Sequence, residues 1–179
     1  MKSPRVLSKF SWEYHISELN TPNLLLKVPK EKLAPMEIQV SDQQNEIETE
    51  LEKIKTKARK ILSALACYES ELSIVLVDDE QMTSLNKKYR NRRGSTNVLA
   101  FAMREGEFAD ISPELLGDVI ISLPTAQREA EEAGISLDNM ISRLLVHGIL
   151  HLVGFDHEGG EAASREMERR SSELLGILD

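Results

Sequence analysis

Cysteine is almost missing from this chain. A single Cys67 in 179 residues excludes an intramolecular disulfide and fits a reducing compartment. Aromatics are scarce at 4%, with one tryptophan, Trp12. No apolar run approaches the roughly 18 residues of a membrane-spanning helix. Lys2, Arg5 and Lys9 near the N-terminus are not followed by the apolar core of a signal peptide. A cytoplasmic protein with no membrane partner is expected. There is no G-x-x-x-x-G-K-[ST], no G-x-G-x-x-G and no G-x-S-x-G, which removes the common nucleotide-binding and acyl-transfer signatures. Of the four histidines, only His15 lies outside one short cluster, so a serine or cysteine triad has no spare base. What is left has ordinary globular proportions, 41% hydrophobic and 29% charged. A chain of this length buries roughly 70% of its unfolded surface and needs no staples.

Charge is unevenly spread. The net charge of −8 argues against indiscriminate nucleic-acid binding. Residues 1–35 carry six Lys/Arg against three Glu, so the remainder stands at −11. Those first 35 residues also hold four of the six prolines and the tryptophan. They read as an N-terminal extension that packs on the domain or is loosely ordered. Met36 opens a strand-like run directly after it and is a candidate alternative translation start.

From residue 36 the pattern is that of one α+β domain, a sheet of about four strands packed with about five helices. Strands are expected at 36–41, 72–77, 96–101 and 118–122. Asn45 and Glu48 form a candidate capping box for a helix that carries Ile47, Leu51, Ile54, Ala58, Ile61, Leu62 and Leu65 on one face. Lys53, Lys55, Lys57, Arg59 and Lys60 read as its solvated side. Asp78 or Asp79 caps a second helix with Met82, Leu85 and Tyr89 facing inward. A polar loop spans 102–115. Helices follow over about 122–133, stopped by Gly134, then 138–153, mostly apolar and so central, and 161–175. Cys67 reads as a packing residue.

Three histidines fall within eleven residues, His147-Gly148-Ile149-Leu150-His151-Leu152-Val153-Gly154-Phe155-Asp156-His157. Imidazole is the commonest metal ligand, and residues four apart stand one turn above each other on a helix. Gly154 can end the helix in a left-handed conformation, letting His157 return to the same ion. Three histidines and a water make an open, catalytic type of Zn²⁺ site. The spacing is that of metzincin proteases, but those have Glu after the first histidine as general base. Here that position is Gly148, which counts against a metallopeptidase. Metal-assisted hydrolysis of another bond remains.

Lys87-Lys88-Tyr89-Arg90-Asn91-Arg92-Arg93 is the second informative stretch, with five basic residues in seven. Cations at a helix end meet the negative pole of the helix dipole. They also bind phosphate, arginine bidentately. If this patch faces the metal, the pair has the parts of a phosphodiesterase.

These residues resemble a known family. The histidine stretch is similar to the H-G-x-L-H-L-x-G-[YF]-D-H signature of the YbeY family of endoribonucleases, also called rRNA maturation factors. Leu85-Asn86-Lys87-Lys88-Tyr89-Arg90 with Thr96-Asn97-Val98-Leu99-Ala100-Phe101 resembles its L-N-x-x-Y-R…T-[DN]-V-L-S-F. Leu116-Gly117-Asp118-Val119-Ile120-Ile121-Ser122 resembles its L-G-D-[IV]-x-[IL]-[SC]. The resemblance covers roughly residues 36–179. It implies an α+β domain holding one zinc through His147, His151 and His157, and cleavage of single-stranded RNA with Arg90 in catalysis. It further implies maturation of small-subunit rRNA at its 3′ end, ribosome quality control, and contact with the small subunit, its proteins or a ribosome-associated GTPase. Asp156 is expected either to orient a ligand imidazole or to make a hydrogen bond at the helix end, and Lys87, Lys88, Arg92 and Arg93 to bind RNA. The chain departs from the family pattern at Arg93, where Asp is usual, and at Ala100, where Ser is usual. Two alternatives stand beside this reading: a non-enzymatic, zinc-containing ribosome-assembly factor, and a metzincin-like peptidase.

Overall fold

Alternating apolar residues build the sheet, and the computed structural model describes it within residues 36–103, 114–156 and 160–178. The strands are β1 (Glu37–Asp42), β2 (Glu71–Val77), β3 (Val98–Ala102) and β4 (Leu115–Ser122). They lie in the order β1-β2-β4-β3. β1 and β4 run parallel to β2, and β3 is antiparallel to β4. The helices are α1 (Leu51–Ala64), α2 (Asp79–Arg90), α3 (Leu123–Ala133), α4 (Leu137–Leu152) and α5 (Glu161–Leu178). The expected α+β class, with four mixed strands and five helices, is the observed one. The loop expected over 102–115 falls largely outside the described residues.

Period-two patterning splits each strand between two faces. Leu72, Ile74 and Leu76 of β2 join Leu116, Val119 and Ile121 of β4 in the main core. Val75, Val77, Leu99, Phe101 and Ile120 face the other way and meet Met82 and Leu85 of α2. Helix α4 is apolar nearly all round, with Met140, Ile141, Leu144, Leu145, Val146, Ile149, Leu150 and Leu152 buried. It packs against β3, β4 and the helices α1, α3 and α5. Each such side chain contributes about 1.5–3 kcal/mol through burial, so α4 is the rigid axis on which the histidines stand.

Local signals end the helices. Asp78 caps α2 in a reciprocal box with Gln81. Ser122 caps α3, and Gly134 stops it at φ 65°. Three expectations fail, one of them the inward placement of Tyr89, which is exposed. α1 begins at Leu51 with no side-chain cap at Glu50, so the Asn45/Glu48 box does not form. Gln44 organises that segment instead: its carbonyl accepts the amides of Glu46 and Ile47, and its amide donates to Ile47 O and Asp42. Lys57, expected in solvent, is buried. Its Nζ donates to Ser142 Oγ at 2.8 Å and pairs with Asp138 Oδ1 at 2.6 Å. Lys53 reaches the same carboxylate at 3.2 Å, and the pair clamps α1 to the first turn of α4.

Candidate metal centre and phosphate cleft

Helical periodicity brings His147 and His151 together. Their Nε2 atoms stand 3.2 Å apart, with ring centroids at 4.6 Å. Both rings are half-buried. Two nitrogens each about 2.0–2.1 Å from a tetrahedral Zn²⁺ would be about 3.3 Å apart, so the pair fits a shared metal as it stands. α4 stops one residue after His151, at Leu152. Val153 N bonds to Ile149 O, Phe155 N reaches back to Leu150 O at 3.0 Å, and Gly154 takes φ 90°. This is the left-handed turn that the sequence assigns to glycine. The chain therefore reverses just before His157, which lies outside the described residues. Among the described residues no three His, Cys, Asp or Glu side chains cluster as a metal site.

Gly148 has a structural reason. A Cβ there would lie 2.8 Å and 3.1 Å from the two γ-methyls of Val119, and 3.5 Å from a Val98 methyl. Val119 is fully buried. The position between the histidines presses on the sheet, and any side chain there would require Val119 or its surroundings to shift.

The histidine pair opens into a cleft of about 620 Å³. Arg90 and Arg92 line it from the end of α2 and the following loop, Thr96 to Val98, Ala100 and Ala102 from the β3 side, and Gly154 to Asp156 from the turn after α4. Arg90 is thus brought to the same cavity as His147 and His151. Of the basic cluster, only Arg90 and Arg92 reach this cavity; Lys87, Lys88 and Arg93 are exposed elsewhere. Asp156, exposed, lines the cleft too.

The loop that carries the arginines is held by residues whose role the sequence did not suggest. Asn86 is buried; its side-chain amide donates to Gly94 O at 2.9 Å, and its backbone carbonyl accepts the amides of Asn91 and Arg92. Asn97 donates to Glu129 at 2.8 Å. The strongest tie is Asp79. Its Oδ1 accepts from Ser122 and Thr125 at 2.6 Å each and from Ser95 at 2.9 Å, while Oδ2 takes Arg128 at 2.7 Å. One carboxylate so joins α2, the loop before β3 and the start of α3. Hydroxyl-bearing residues gathered around an aspartate were the only signal, and they are scattered in sequence.

Burial alone would raise the Asp79 pKa. Hydrogen bonds from Ser122, Thr125, Arg128 and Ser95 outweigh it and hold the carboxyl well below the usual carboxylate range. A depressed folded-state pKa stabilises the fold fully above the unfolded value of about 3.9, and that contribution fades as pH falls through the folded value. Arg128 is more than half exposed, so its pairing contributes little and the hydroxyls carry the effect. Asp79→Asn is expected to cost about 1–2 kcal/mol in urea unfolding at pH 7. The deficit should shrink as the pH is lowered below about 4. A variant whose deficit is the same at pH 7 and pH 3 contradicts this.

Comparison with known proteins agrees with the geometry. The family model described as Endoribonuclease YbeY matches residues 38–179. The chain belongs to the YbeY endoribonuclease family. Endoribonuclease YbeY of Geobacter metallireducens is 43% identical over 145 residues, spanning 80% of this chain and 97% of that protein. The same-named protein of Aquifex aeolicus is 44% identical over 143 residues, 76% of this chain and 93% of its own length. Among solved structures, TM1509 from Thermotoga maritima shares the fold with a TM-score of 0.58 at 23% identity, covering 79% of this chain and 88% of that one.

Proposed function

We propose that this chain is a zinc-dependent endoribonuclease of single-stranded RNA. We assign it to ribosomal RNA processing, chiefly at the 3′ end of the small-subunit RNA, and to ribosome quality control in the cytoplasm. The small subunit, with its proteins or a ribosome-associated GTPase, is the proposed partner. No described helix is long and apolar enough to cross a membrane. We retain residues 1–35 as an extension appended to the nuclease domain at 36–179. The observation that carries the reading is the shared cleft: two guanidinium-bearing residues and two imidazoles with their Nε2 atoms 3.2 Å apart line one cavity. Two arginines there suit the charged non-bridging oxygens of a phosphodiester.

His147, His151 and His157 would hold the ion. Bound there, zinc supplies Lewis acidity and a water whose pKa is lowered toward about 7. Arg90 grips non-bridging phosphate oxygens and stabilises the charge that builds on them during cleavage. Arg92 binds phosphate on the same wall of the cleft, and Lys87, Lys88 and Arg93 draw the strand in from outside it. Asp156 orients a ligand imidazole by hydrogen bond. Gly148 offers no proton acceptor, so a base placed between the first two histidines has no part here.

His151→Ala tests the site. The natural protein is expected to carry one zinc per chain by elemental analysis and to cut a labelled single-stranded RNA. The variant should lose most of the metal and at least a hundredfold in cleavage rate. Undiminished RNA cleavage by the metal-free variant, or cleavage of casein in place of RNA, would overturn the assignment.

A further inference from the structure

Tyr89 belongs by helical periodicity to the inward face of α2 with Met82 and Leu85, yet the structure turns it outward. Met82 is fully buried and Tyr89 is 55% exposed. Its ring is still fixed on one side, meeting Phe101 edge-on with centroids 5.0 Å apart. Phe101 points to the α2 side of β3, while its neighbours Ala100 and Ala102 line the cleft on the opposite side of that edge strand. Tyr89 itself directly precedes Arg90. Lys88 Nζ stands 4.8 Å from the ring centre, and Arg92 and Arg93 follow within four residues. Among the described residues the other strongly exposed tyrosine, Tyr68 at 51%, is followed by Glu69 rather than by arginine. An exposed ring, braced by a second aromatic, with one cation over it and an arginine of the phosphate cleft next in the chain, is an arrangement suited to single-stranded nucleic acid. The cations attract the backbone, and the aromatic face stacks a base.

We infer that Tyr89 is a substrate-binding residue on which an unpaired nucleobase, near the phosphate gripped by Arg90, stacks. The inference rests on the endoribonuclease reading above. It also gives that reading a physical source of strand selectivity. A base inside a duplex is stacked and paired, and must leave both arrangements before it can reach the ring. An unpaired base has only to turn. Stacking is indifferent to base identity because every base has a π-face, so Tyr89 favours single strands without imposing a sequence.

The test uses the full-length protein with its metal and a set of single-stranded 12-mer RNAs carrying 2-aminopurine at successive positions. Tyr89→Leu keeps an apolar contact with Phe101 but removes the ring; Tyr89→Phe keeps the ring. The expected results are a rise of about tenfold or more in KM for Tyr89→Leu, with kcat within about twofold and an unchanged melting temperature, and near-natural values for Tyr89→Phe. One 2-aminopurine position should be quenched by the natural protein and by Tyr89→Phe, and not by Tyr89→Leu. An abasic residue at that position should raise KM for the natural protein and leave Tyr89→Leu unaffected. Equal KM and equal quenching for all three proteins would overturn the stacking role while leaving the nuclease reading in place. A Tyr89→Phe variant as impaired as Tyr89→Leu would also overturn it, since the hydroxyl would then be the active part. Should the natural protein neither bind nor cut RNA, both readings fall together.

Discussion

Arg90→Ala is expected to lower kcat for single-stranded RNA cleavage by about 10²–10³-fold, the usual loss on removing one preorganised donor from a developing oxyanion. Bound metal should not change, since Arg90 approaches the cleft from α2 and the histidines from α4. The melting temperature should move little, because the residue is exposed and substitutions at such positions typically fall within about 0.5 kcal/mol. The combination matters more than the loss. A fall in activity with metal and stability intact assigns Arg90 to the reaction, whereas a parallel fall in zinc content assigns it to the architecture. Arg90→Lys retains the charge but not the planar fork, and should recover only part of the rate. Full activity in Arg90→Ala would remove the arginine from the mechanism and weaken the phosphodiester reading with it.

Gly148→Ala is the second large effect, and it acts on the fold. Alanine normally stabilises a helix by up to about 1 kcal/mol relative to glycine. Here its methyl would sit 2.8 Å from a Val119 methyl, on a side chain that is β-branched, stiff at χ1 and fully buried. Overpacking of this kind costs about 1–3 kcal/mol, and set against the helix gain the balance is a net loss of up to about 2 kcal/mol in urea unfolding. Gly148→Glu, which would install the base a metzincin-type peptidase uses, should leave no soluble folded protein. It would push a carboxylate against Val119 and Val98, with no partner there to offset its desolvation. A Gly148→Ala variant as stable as the natural protein would mean that β4 yields at this contact. A folded Gly148→Glu protein with peptidase activity would refute the argument altogether.

These two residues mark what was readable from the sequence. Gly148 was informative there only as an absence, the missing base. Its contact with Val119 depends on how closely α4 lies on β4, which no local pattern encodes. Arg90 was readable as one of five cations, and as the arginine of a family motif. That it and Arg92 line the cleft, while Lys87, Lys88 and Arg93 do not, depends on where α2 ends and how the following loop is held. Asn86 and Asp79 hold it through side chains drawn from three parts of the chain. Lys57 failed for the same reason. A charge on the polar side of an amphipathic helix reads as solvated until Asp138 and Ser142 are brought over it from more than eighty residues away.

By itself the sequence determined the elements and the chemistry available to them. Period-two and helical spacing located four strands and five helices. Ser122 and Gly134 marked the ends of α3, and four-residue spacing with Gly154 behind it set two imidazoles on one helix face before a reversal. All of these are short-range effects, governed by backbone geometry and by residues within a turn of one another. Tertiary structure alone decided which cations share a cavity with the histidines, why a side chain between them would crowd Val119, and that Tyr89 points outward. Each of those depends on packing between elements distant in the chain. There, steric fit and the satisfaction of buried polar groups override the local preference of any single segment.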